Sequence, residues 1–131
     1  MYVVYINCAL FLFVTWIIKG LKTLETRNKN TLKKLVGFTV YIAETGIHKK
    51  AVIRCKCIIG NPIIVTDKKA YNLYRKQTRI KKGSIFDFTR ETKRKVLYPL
   101  LNVQKIQPFE IPDNAIKCNR TFCKINVSEE I

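Results

Sequence analysis

The chain has 131 residues, with 25 Lys and Arg against 9 Asp and Glu, for a formal charge of +16. That length holds one domain, and 47% hydrophobic residues exclude a disordered polar chain. A large multidomain enzyme and a charge-balanced cytosolic domain are excluded as well.

Residues 1–18 (MYVVYINCALFLFVTWII) contain no charged side chain. As a helix they would rise about 27 Å, close to the roughly 30 Å hydrocarbon layer of a bilayer, and Gly20 and Leu21 complete the length. Trp16 near one end and Tyr2 and Tyr5 near the other suit the two interfaces. No basic region precedes the run and no small-residue cleavage site follows it. The expectation is therefore a retained transmembrane anchor over 1–21, not a signal peptide or a buried helix. Six basic residues follow (Lys19, Lys22, Arg27, Lys29, Lys33, Lys34), which places the remainder on the cytoplasmic or nucleoplasmic side.

Residues 22–35 form a basic juxtamembrane stretch in which Leu21, Leu24, Leu32 and Leu35 have helical spacing. From 36 the period changes to two. Segments 36–43 and 51–59 read as paired strands, with Ala51, Ile53, Cys55, Cys57 and Ile59 on one face. Gly60-Asn61-Pro62 is a turn before a short strand over 63–66. Asp67 caps a predicted helix over 68–80, stopped by Lys81-Lys82-Gly83. Residues 84–89 suggest another strand, and 102–116 an extended edge segment. The predicted architecture is α+β: an N-terminal transmembrane helix, then one small basic α+β body over 36–131.

Cys8 falls in the apolar run. The other four cysteines form two close pairs, Cys55 with Cys57 and Cys118 with Cys123. Partners at i and i+2 of a strand are too far apart for an easy bridge, so each of Cys55 and Cys57 is expected to bond to one C-terminal cysteine. A four-thiolate zinc site and unpaired buried thiols are the alternatives, although the spacing suits structural zinc poorly. Asn119 and Asn126 begin glycosylation triplets, and together with disulfides they would put the body on the lumenal side, against the positive-inside rule.

Residues 68–95 hold eleven bases and two acids. Arg75, Lys76, Arg79, Lys81, Lys82, Arg90, Lys93, Arg94 and Lys95 form a candidate interaction face for phosphates or lipid headgroups, with a solvated surface as the plain alternative. No zinc-finger spacing, RNP-like motif or Gly-rich phosphate loop accompanies them. For a membrane-anchored chain, acidic proteins and the lipid bilayer rank ahead of nucleic acid as partners. The one histidine, His48, lies beside Lys49 and Lys50 and is a poor base. No catalytic residue, metal, cofactor or small-molecule substrate is expected.

An apolar run to Ile18 followed by Lys19, Lys22 and Arg27 resembles the signal that sorts baculovirus occlusion-derived virion envelope proteins to the inner nuclear membrane. Size, cysteines and heavy use of Lys, Ile and Asn are similar to the small per os infectivity factors among them. The resemblance implies a single-pass viral envelope protein, a structural subunit of a multi-protein virus entry (oral infectivity) complex, with other envelope proteins as partners. The alternative is a membrane-tethered basic adaptor for nucleic acid, nucleocapsid or anionic lipid.

Overall fold

The computed structural model describes residues 1–126. Among them, eight strands form one strongly curled sheet: β1 (Tyr2–Asn7), β2 (Leu24–Arg27), β3 (Thr39–Thr45), β4 (Val52–Ile59), β5 (Ile63–Val65), β6 (Lys95–Glu110), β7 (Ile116–Lys117) and β8 (Phe122–Lys124). The order is β2-β6-β4-β3-β1-β8-β7, with β5 also beside β6. Three short helices accompany the sheet: α1 (Phe13–Ile18), α2 (Lys68–Asn72) and α3 (Arg75–Thr78).

The apolar N-terminal run is not a membrane span. Tyr2–Asn7, rich in β-branched and aromatic residues, is an interior strand, parallel to β3 on one side and antiparallel to β8 on the other. Both of its faces are covered: Val4 and Ile6 join the main core, while Val3 joins a second cluster with Ala43, Ile53, Cys123 and Ile125. A strand buried on both faces carries no alternating polar residues and reads as a continuous apolar stretch. After an irregular link over 8–12 the run ends in α1, whose Phe13, Val14 and Ile17 are buried against the main core.

Gly20 ends α1. At φ +76 its N–H reaches the Ile17 carbonyl, and the Leu21 N–H reaches that of Trp16, the two bonds of a Schellman stop. No described helix is long and apolar enough to cross a membrane. The predicted architecture is thereby corrected to a mostly β fold without a transmembrane helix. Residues 22–35 contain β2 and a single 3-10 turn (Lys33–Leu35) in place of a continuing helix.

The predicted pair of strands forms β3 and β4, but a register shift falls between Ile53 and Cys55. Arg54 is the extra residue of this bulge, and its guanidinium donates to Glu44 at 2.7 Å and to Thr15 of α1 at 2.9 Å. Ile53 consequently packs in the second cluster while Cys55 and Cys57 pack in the main one. Asp67 caps α2 through the Ala70 N–H at 2.7 Å. The predicted helix over 68–80 is split into α2 and α3, and 84–89 forms turns, not a strand.

The expected disulfide pairing fails on distance. Cys55 and Cys57 lie on β4, three strand spacings (about 14 Å) from Cys123 on β8, and in a different cluster. A bridge needs Cα atoms within about 7 Å. All five described cysteines are free thiols, four buried and Cys118 exposed. Burial pushes the Cys55 and Cys57 thiols up to about 12. A thiol-reactive dye should therefore label one cysteine quickly in the native protein and all five in denaturant. Rapid native labelling of two or more would contradict this placement.

Candidate functional site

Three charged residues assigned by their position in sequence to sorting or to nothing come together where α1 passes into β2. Lys22 is buried, with its Nζ donating to the carbonyls of Leu24 at 2.9 Å and Thr78 at 2.7 Å. It also lies 3.6 Å from Glu25 and 4.8 Å from the centre of the Phe13 ring. Burial pushes the Lys22 ammonium down and the Glu25 carboxylate pulls it back up. With two carbonyls, a carboxylate and an aromatic ring around its ammonium, Lys22 ties α1, β2 and the end of α3 together.

Glu25 is held by Lys22 on one oxygen and by Arg27 on the other, at 3.2 Å. Arg27 also donates to the Tyr5 carbonyl at 2.9 Å, but its Nε–H is buried without a partner. Beside it Lys95, at the start of β6, is buried with its Nζ bonded to Asn28 at 2.6 Å. Burial lowers the Lys95 pKa, and Asp87 opposes that shift. Lys19, the remaining predicted sorting residue, is exposed at the end of α1.

Glu25, Arg27, Asn28 and Lys95 line a cleft of about 390 Å³ between β1, β2 and the turn at Ile85 and Phe86, which Arg120 also lines. A second hollow of about 650 Å³ adjoins it through Asn28, Ile85 and Lys95, and adds Lys29, Lys93 and Arg94. Six cations thus line the two hollows. Of their three carboxylates, Glu25 is paired as described and Asp87 is bound by Arg75 at 2.9 Å. Burial raises the Asp87 pKa, but donation from Gly83, Arg75 and Phe88 outweighs it and holds the carboxyl below its ordinary range. Glu91 is the one of the three without an ion-pair partner among the described residues. The site is strongly cationic after internal pairing.

The predicted basic face is divided by the fold. Lys93, Arg94 and Lys95 reach the double cleft, while Lys76, Arg79 and Lys81 gather around Trp16 on the other side of Ile80. Arg75 turns inward to Asp87, Asn72 and the Ile80 carbonyl. Lys82 and Arg90 are exposed. Asn119 accepts hydrogen bonds from the Thr121 N–H and hydroxyl, and Asn126 is exposed, its triplet ending outside the described residues. His48 pairs with Glu44 at 2.7 Å. Among the described residues no three His, Cys, Asp or Glu side chains converge as metal ligands would. Sequence reasoning missed Glu25 and Asn28; the alternation of Glu25 and Arg27 about one strand residue was the available signal.

No family model and no curated protein matches the sequence. Solved structures do. ASCH from Zymomonas mobilis superposes with a TM-score of 0.74 at 15% identity, covering 95% of this chain and 87% of that one. Two mutant forms of the same protein give 0.75 and 0.73, also at 15% identity. The chain has the ASCH fold. At that identity the likeness carries architecture alone.

This fold, with the N-terminal run inside its sheet, overturns the reading as a single-pass envelope subunit of an oral infectivity complex. The membrane-tethered adaptor falls with it, and so does a virion-envelope location reached through the inner nuclear membrane.

Proposed function

We propose that this chain binds single-stranded nucleic acid, with the phosphates seated in the cationic double cleft beside β2. The observation that carries the reading is two adjacent cations beside β2: half-buried Arg27, which shares the Glu25 carboxylate with Lys22, and buried Lys95. Among the described residues the Arg27 Nε–H has no partner, and buried Lys95, whose pKa burial lowers, is hydrogen-bonded to the Asn28 amide. An incoming phosphate supplies the missing acceptor and counter-charge. Lipid and acidic proteins ranked higher only while an anchor held the chain at a membrane, and β1 and α1 remove that premise. The hollows suit one strand whose bases can turn outward, and Tyr5 and Phe86 on the walls offer ring surface.

Anisotropy of an end-labelled oligonucleotide, titrated with the full chain at several salt concentrations, tests this. Affinity should fall with salt, and Arg27→Gln with Lys95→Met should flatten the slope by about 1.4, two single-strand phosphate contacts. The slope of the double variant staying at the parent value would defeat the proposal. The pH dependence has a definite sign. Lys95 loses its proton below the ordinary lysine range, so binding should weaken as pH rises towards that range, and Lys95→Arg should remove part of this loss.

A further inference from the structure

We infer that the bound strand runs past the cleft to a second subsite, a shelf formed by Trp16 and Arg79 that stacks an unpaired base; this rests on the nucleic-acid reading above. Trp16 lies on α1, half-buried, with its ring meeting that of Phe13 edge-on at 5.8 Å. Phe13 is itself a wall of the first cleft, and Ile80 borders both the cleft and the shelf. The two hollows therefore lie on opposite sides of one shared wall, the buried Ile80, and a strand reaching the shelf passes around it.

The shelf has the chemistry of a base-stacking site. The Arg79 guanidinium sits 5.1 Å from the centre of the indole ring. Lys76 and Lys81 flank the pair, and no carboxylate lines the hollow. Arg79 reaches this position from a left-handed backbone conformation, φ 59, which residues other than glycine seldom adopt. It follows directly on α3, where glycine is the usual helix-ending residue. A guanidinium plane and an indole face are both surfaces on which any base stacks, and flanking ammonium groups neutralise its phosphate. A double helix keeps its base faces covered, so the shelf selects single strands.

Trp16 is the chain's single tryptophan, which makes its emission a reporter of this subsite alone. Full-length protein would be titrated with an end-labelled single-stranded oligonucleotide of about ten nucleotides and with an abasic sugar-phosphate strand of equal length. A duplex of the same sequence completes the set. Anisotropy of the label reports binding, and tryptophan emission reports stacking.

The base-bearing strand should bind roughly tenfold tighter than the abasic one and quench Trp16, whereas the abasic strand and the duplex should leave its emission unchanged. Arg79→Gly suits the left-handed position and so keeps the fold; it should weaken the base-bearing strand several-fold and leave the abasic strand alone. Binding by anisotropy with unchanged Trp16 emission would overturn the shelf and leave the cleft standing. Absence of binding by every strand would overturn both.

Discussion

Replacing Lys22 with methionine should destabilise the protein by about 3–5 kcal/mol, the usual cost of removing one partner from a buried charged contact. The methionine fills a similar volume, so the loss isolates polar pairing from packing. It strands the Leu24 and Thr78 carbonyls and takes one cation from Glu25. Denaturant unfolding read by Trp16 emission measures it. A change below about 1 kcal/mol, typical of an exposed ion pair, would mean that Lys22 lies in solvent and that β2 is wrongly placed.

The second large effect is at Ile17. Its side chain is fully buried in the main core, so Ile17→Ala should cost about 2–5 kcal/mol by lost burial and the cavity left behind. A membrane anchor tethered to an independent body would show no such coupling, because trimming one methyl-rich side chain in lipid leaves the body's unfolding unchanged. The midpoint of chemical denaturation for Ile17→Ala against the parent separates the two pictures directly.

Much of the sheet was legible because its signals are local. Alternation along β3 and β4, and Asp67 before α2, follow from rules that reach only a few residues. The N-terminal run was not, because an apolar stretch of that length satisfies two physical situations equally: hydrocarbon around a helix, or protein around a strand and a short helix. Only long-range partners decide between them, here the Val3↔Tyr41 and Val3↔Cys123 pairings. Gly20 carried the local hint, since a glycine two residues after Ile18 is what a short helix needs to stop.

The bulge at Arg54 was equally invisible. It depends on Glu44 and Thr15 being in reach, and it moves Ile53 out of the face that strict alternation assigns to it. The cationic surface was legible as composition and illegible as geometry. Arg75 looks like its neighbours in sequence yet is consumed by Asp87, whereas Arg27 and Lys95, 68 positions apart, share one cleft. Pairing of β2 with β6 (Arg27↔Val96) brings them together, and no sequence spacing encodes it.

The place of β1 between β3 and β8 also bears on how the chain survives its own synthesis. Val3 must wait for Cys123, and at roughly 5–20 residues per second that partner follows about 6–24 s later. Through that interval the most apolar segment of the molecule has no native strand on at least one side. A nascent chain with this order of events is a natural client for chaperones that shield apolar segments at the ribosome, and its yield in a foreign host should depend on their supply.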